Sequence, residues 1–270
     1  MMKNQWSDKK AAAAVRSGRR AGVPKPLADC IYASRLLGAD RKLVLHGGGN
    51  TSVKAHVFDL SGMSVEGLHV KASGHDLAGI EANGFAALDL SQLRRLEELD
   101  VLSDADMLAA LTRAKLDPSQ SAPSVESLLH AFLPAPYIFH SHANAVLALT
   151  NQPDGKATVE KIWGGEVIVL PYVMSGFALA KRAGAAVRRS PRARALVVMK
   201  HGIFTFGETA KDAYGHMIDL VSRAEYRLRS GRKNVFPAAR ITAGARQTDL
   251  APVLRGALCR HMPAGAILDF

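Results

Sequence analysis

A chain of 270 residues, 48% hydrophobic and 22% charged, has an ordinary globular composition and is long enough to bury one large core. Lys and Arg outnumber Asp and Glu by 35 to 24, giving a formal charge of +11, yet no aromatic interleaving or zinc-finger spacing accompanies it; the surplus reads first as solvated faces and next as help with a small anionic metabolite, and nucleic acid is not expected as a partner. No run reaches the ~20 apolar residues that span a bilayer, residues 1–20 lack a signal-peptide apolar segment, and two distant cysteines, Cys30 and Cys259, set no disulfide framework, so the expectation is cytoplasm and no membrane.

In chain order, Pro24-Lys25-Pro26-Leu27 opens a predicted helix running to about Leu37. Residues 42–46 read as a strand that breaks into Gly47-Gly48-Gly49-Asn50-Thr51-Ser52. Residues 53–60 and 68–72 read as further strands, the second followed by Ser73-Gly74. Residues 90–99 are charged and periodic, and Ser103 offers a cap ahead of a helix over 107–111. After the turn at 118–123, Ser124 caps a helix that carries Glu126 in its first turn and runs through Phe132. A strand over 137–142, a helix over 143–149 and a turn over 151–155 follow. Strands over 166–172 and 195–200 are each succeeded by a helix, over 177–188 and 209–228. Beyond Gly231, Pro, Ala, Gly and Arg dominate, with a short helix over 250–258. We therefore expect one α/β domain over residues 1–230 and a tail or packing arm over 231–270.

The chemistry concentrates in four residues. His140 and His142 stand two apart on a strand, so their rings point to one side. Their apolar flanks, Ile138, Phe139 and Ala143, indicate a buried strand end, where each ring needs a partner that one metal supplies to both. His201 ends the apolar run Leu196-Val197-Val198-Met199, again at a strand terminus. Three histidines and the carboxylate of Glu126 make up the inventory of a catalytic divalent-metal site with one position left for substrate. Glu126 would ligate that metal or act as general base, and His130, one turn later, would meet the carboxylate or pack.

Gly47–Ser52 has no Walker lysine and is no dinucleotide fingerprint. Its glycines, Gly49 among them, free successive N–H groups for an anion nest, to which Asn50, Thr51 and Ser52 add donors. Ser73-Gly74 offers a second such turn.

Taken together, Gly49-Asn50-Thr51-Ser52, Ser73-Gly74, Pro123-Ser124-Val125-Glu126, His140-Ser141-His142 and His201-Gly202 resemble the class II aldolase/adducin family in identity and order, over residues 25–230. The stretches 45–52 and 200–207 are more similar still to the aldolase half of bacterial proteins that fuse this domain to a short-chain dehydrogenase. Here the chain ends at Phe270, so the dehydrogenase half is expected to be absent. The resemblance implies a three-layer α/β/α fold with a largely antiparallel central sheet, and a C4 homotetramer with the active site at a subunit interface. It implies Zn²⁺, or another divalent ion such as Mn²⁺, on His140, His142 and His201. It makes Glu126 the acid/base and puts Asn50, Ser73, Gly74 and Ser124 on a phosphate. The phospho-sugar aldolases tend to carry a second hydroxyl just before the glutamate; Val125 stands there, which trims the phosphate shell and raises carboxylate beside it. The expected activity is metal-dependent retro-aldol cleavage of a hydroxy-ketone. A metal-dependent decarboxylase and a non-catalytic adducin-like assembly module are the alternatives.

Overall fold

The structure, a computed structural model, describes residues 2–58, 61–230 and 247–259. A seven-stranded sheet forms the middle layer: β1 (Asn50–Phe58), β2 (Ser64–Lys71), β3 (Phe85–Asp89), β4 (Tyr137–Ser141), β5 (Val167–Leu170), β6 (Ala195–Val198) and β7 (Gly202–Gly207). Their spatial order is β3-β2-β1-β4-β7-β6-β5, and every neighbouring pair is antiparallel except β5 with β6. The expected α/β architecture with a largely antiparallel sheet between helices is the one observed.

The helices are α1 (Asp8–Arg20), α2 (Lys25–Gly38), α3 (Leu90–Arg95), α4 (Asp104–Arg113), α5 (Ser127–Phe132), α6 (Asn144–Thr150), α7 (Gly155–Trp163), α8 (Phe177–Arg189), α9 (Ala210–Ser230) and α10 (Gln247–Cys259). Side-chain alternation in the strands feeds two cores. Val53, Phe139, Val197 and Ile203 pack under α2, α6, α7 and α9. On the other face Leu68, Ile138, Leu196 and Phe204 pack under α3, α4, α5 and α8. Three layers follow, because each sheet face needs its own apolar cover.

Local signals explain several boundaries. Ser103 caps α4, its Oγ accepting from the Asp106 N–H at 3.1 Å. Pro26 sits in the first turn of α2, where its missing N–H costs nothing. Two stretches depart from the expected reading. Residues 42–46 form a turn, not a strand; Leu43 and Val44 are buried there as core plugs. Asn50, Thr51 and Ser52, read as the end of a glycine turn, belong to β1, where Asn50 pairs with His140 and Ser52 pairs with both Ile138 and Val70. Pairing on both flanks outweighs a turn-like composition.

The chain divides into two compact units, Met1–Gly231 and Arg232–Phe270. In the second, α10 is the described element; it contains Pro252, and Leu250, Val253 and Leu254 are exposed on it. The side chain of Leu258 and the rest of the tail lie outside the described residues.

Candidate active site

β1, β4 and β7 lie side by side at the centre of the sheet, and their ends converge on one cluster. His140 is the penultimate residue of β4, His142 follows its last residue, and His201 sits in the turn joining β6 to β7. Donor atoms of the three histidines lie within 4.8 Å of one another. The rings of His140 and His142 are 4.7 Å apart and those of His140 and His201 5.0 Å apart, centroid to centroid. The turn before His201 is paid for in backbone strain: Lys200 has φ 61°, a conformation unusual for a residue with a Cβ. Gly202 is required there, because a Cβ would come 2.5 Å from the Ser141 carbonyl oxygen and 2.9 Å from the His140 ring.

His140 is fully buried, and its Nδ1 lies 3.0 Å from the Ile203 carbonyl. A carbonyl only accepts, so Nδ1 carries the proton and Nε2 presents its lone pair to the cluster. That Nε2 is buried without a hydrogen-bond partner among the described residues, a costly arrangement unless a further group completes it. Burial drives the His140 pKa down to about 3, against the opposing pull of Glu126, and burial and His201 lower that of His142. A neutral imidazole with one nitrogen fixed by a carbonyl, as at His140, is the form a metal takes. The donor set therefore fits a divalent ion.

Glu126 is the residue that caps α5, one position ahead of its expected place in the first turn. Its carboxylate is buried beside the histidines, with Oε1 3.1 Å from His201 Nε2 and Oε2 3.6 Å from His140 Nε2. Asn50 Nδ2 donates to Oε2 at 2.7 Å and Ser175 Oγ to Oε1 at 3.2 Å. Burial acts to raise the Glu126 pKa but is outweighed by His140, His201 and the Asn50 donor, and the group stays well below the usual carboxylate range.

The remaining expected residues divide. Asn50 and Ser124 belong to the cluster, 3.3 Å apart through Nδ2 and Oγ, and Ser124 Oγ also accepts from the Glu126 N–H at 3.3 Å. Gly49, at φ 66°, packs so closely that a Cβ would meet the His140 carbonyl oxygen at 2.8 Å. Ser73 and Gly74 are exposed on the neighbouring turn, tied to the 121–124 segment by Ser73 N–H to Ala122 O at 2.8 Å. Ser52 is fully buried and its hydroxyl is taken by His130 Nδ1 at 2.7 Å, away from the glycine turn.

Two residues escaped the sequence reading, and a third was given the wrong partners. Lys71, 4% exposed at the end of β2, donates from Nζ to the Gly47 carbonyl at 3.0 Å. Burial lowers its pKa against the attraction of Asp76 and Glu126, which makes it a desolvated cation beside the glycine turn. A lysine closing an apolar strand just before Ser73-Gly74 was the available signal. Ser175 lies in the loop before α8, and nothing local marks it. His130 was noticed for its spacing, but its ring bonds Asn50 and Ser52, not the carboxylate.

Residues 28–228 match the family model for the class II aldolase and adducin N-terminal domain. The chain belongs to this family. The class II aldolase domain is shared at 38% identity with the N-terminal domain of a conserved protein from Thermoplasma acidophilum, covering 85% of this chain and 100% of that one with a TM-score of 0.75. A sugar-phosphate aldolase from Thermotoga maritima shares the class II aldolase fold at 18% identity, with 75% and 94% coverage and a TM-score of 0.55. The chain is also 35% identical over 266 residues to the uncharacterized oxidoreductase YuxG of Bacillus subtilis. That match takes in 96% of this chain but 37% of the relative's length. Family membership and the histidine cluster together support a metal-assisted catalytic pocket for a small polar or anionic ligand. No helix among the described residues is long and apolar enough to cross a membrane.

Proposed function

We propose that the chain is a metal-dependent carbon–carbon lyase that cleaves a small anionic hydroxy-ketone by a retro-aldol reaction. The observation that carries this reading is the buried Glu126 carboxylate lying against two of three clustered histidines. His140, His142 and His201 would hold the ion, Zn²⁺ first and Mn²⁺ as the other candidate. A bound divalent ion supplies Lewis-acid stabilisation of the negative charge that develops on the substrate's oxygens when the bond breaks.

The chain's own residues do the rest. Glu126, hydrogen-bonded by Asn50 and Ser175, takes the hydroxyl proton at the start of cleavage and returns a proton to carbon at the end. The glycine turn over 47–49, Ser73, Gly74, Ser124 and the Lys71 ammonium read the anion. Asn50 joins them with the hydrogen now directed at Ser124, the weaker of its two bonds. Val125, 46% exposed next to Glu126, removes a hydroxyl from that shell and favours carboxylate beside phosphate. The same charge stabilisation serves loss of CO₂ from a hydroxy-acid, so decarboxylation is the second reading.

Residues 1–230 form the catalytic domain on this proposal and 231–270 a tail or packing arm. Exposed Val125, Tyr172 and Met174, near Glu126 and Ser175 in sequence, support a homo-oligomer, a tetramer ahead of a dimer. The match to one third of a longer oxidoreductase relative supports kinship with the bifunctional aldolase/dehydrogenase proteins. The cytoplasm fits two cysteines, one of them buried and free.

The test is solvent-deuterium exchange into dihydroxyacetone and dihydroxyacetone phosphate, followed by a screen of hydroxy-ketones and hydroxy-acids on zinc-loaded protein. Exchange or cleavage supports the lyase; CO₂ release moves the assignment to decarboxylase. About one metal per chain is expected, and a metal-free, inert protein would leave the adducin-like assembly role.

A further inference from the structure

His130 stands two hydrogen bonds away from Glu126, through Asn50. We propose that His130 is a positioning residue, which fixes the orientation of the Asn50 side-chain amide and through it the donor presented to the Glu126 carboxylate. The inference rests on the lyase reading for its functional meaning but on hydrogen-bond chemistry for its structure.

The bonds leave one consistent assignment of protons. The ionised carboxylate of Glu126 accepts only, so the Asn50 atom 2.7 Å from Oε2 is the NH₂ group. The amide oxygen of Asn50 then faces His130 Nε2, at 2.5 Å, and that nitrogen must carry a hydrogen. A neutral imidazole has one N–H, so His130 Nδ1 is a lone pair and Ser52 Oγ, 2.7 Å away, donates to it. Every donor in the series Ser52, His130, Asn50 points toward Glu126. Such a series polarises cooperatively in a dry interior, and His130, Ser52 and the Asn50–Glu126 contact are all buried.

The architecture makes this possible by matching two periodicities. Asn50 and Ser52 are two apart on β1 and share a face. Glu126 and His130 are four apart, one turn of α5, and share a side of the helix. The far end of α5 is secured by Lys54, next on that face of β1, whose Nζ donates to the Leu133 and Ala135 carbonyls. With its imidazole caught between two β1 side chains, His130 cannot rotate without breaking both bonds. Without it, the Asn50 amide is free to turn its oxygen to the carboxylate, where two acceptors would face each other.

Two measurements test the proposal. In ¹⁵N-histidine-labelled, metal-free full-length protein, long-range ¹H–¹⁵N spectra read the tautomer of each ring. His130 is expected as the neutral Nε2–H form; an Nδ1–H or doubly protonated ring overturns the wiring, whatever the protein catalyses. In zinc-loaded protein, His130→Gln keeps an N–H that can reach Asn50, whereas His130→Leu fills the space without one. Deuterium exchange into dihydroxyacetone phosphate is expected to slow roughly tenfold or more in kcat for the leucine variant, with KM within about threefold, and to be largely restored in the glutamine variant. Equal losses in both variants would reduce His130 to packing and overturn the positioning role. Should wild-type protein show no exchange, the lyase reading fails and the tautomer alone decides the wiring; should the leucine variant not fold, the glutamine variant is compared with Ser52→Ala, which is expected to leave the Nε2–H tautomer in place, and a shift to Nδ1–H there overturns the proposal.

Discussion

His140 lies flat against Phe204, ring centroids 3.9 Å apart and planes within 14° of parallel. The two residues face each other across the β4–β7 pair, so a ladder contact doubles as the clamp on a ring of the histidine cluster. Phe204 also meets the edges of His130 and His201, at 6.2 Å and 5.9 Å. Phe204→Leu should therefore weaken metal binding by roughly tenfold, the lower end for partners that orient a ligand without binding the ion. Competition against a chelator measures it, and unchanged affinity would show that the Ile203 carbonyl alone holds the ring.

His140→Ala should strip the metal, since two histidines and a carboxylate leave an incomplete shell. Elemental content of the purified variant reads this directly, and full occupancy would put the ion elsewhere.

Glu126→Gln preserves size and keeps an oxygen for Asn50 but removes basicity. Turnover of a verified substrate should fall by about 10²-fold or more while the metal stays. Near-normal turnover removes the proton-shuttle role, and loss of metal recasts the residue as a ligand.

Gly202→Ala forces a methyl toward the Ser141 carbonyl and the His140 ring. A cost of about 1–3 kcal/mol in unfolding free energy is expected for such overpacking, together with weaker metal binding, because the displaced atoms belong to the ligand turn. An intact urea midpoint would mean that the β4–β7 ladder yields at small cost.

Acid should weaken the metal-free fold through buried neutral histidines other than His140, His142 and His201. Burial brings His69 and His130 each to about 4, below the ordinary 6.5 of the unfolded chain. Between those values the unfolded state binds more protons, so stability falls as pH drops from 6.5 toward 4. At pH 5 each ring should cost about 2 kcal/mol relative to pH 7. Urea unfolding at both pH values, on wild type and His69→Gln, isolates one share; identical pH dependence in the two proteins would remove His69 from the account.

The histidine cluster was legible because a strand's period of two and an apolar run ending in His201 are local facts. The helix at Ser103 was legible for the same reason. β3 and β7 gave no alternation to read, being buried on both faces, and α1 and α7 were passed over behind an alanine run and a turn signal. The 42–46 stretch looked like a strand because Leu43 and Val44 are buried, but burial does not specify a partner. The contacts of Glu126 with Asn50 and Ser175 span 76 and 49 residues. No window of sequence contains them, which is why Asn50 read as a loop donor and Ser175 not at all.

The separation of the three histidines along the chain has a consequence for how the protein is made. His140 and His142 leave the ribosome some 60 residues before His201, and only the pairing of β4 with β7, with Ile203 opposite Ser141, brings the third ring to them. A nascent chain that has reached the end of α8 thus offers an ion two histidines and no closed site. On the metal-site proposal, tight uptake of an ion waits for one of the fold's long-range closures, a slow class of event in chains rich in non-local contacts. The arrival of the ion in a refolding experiment is then a clock for the centre of the sheet.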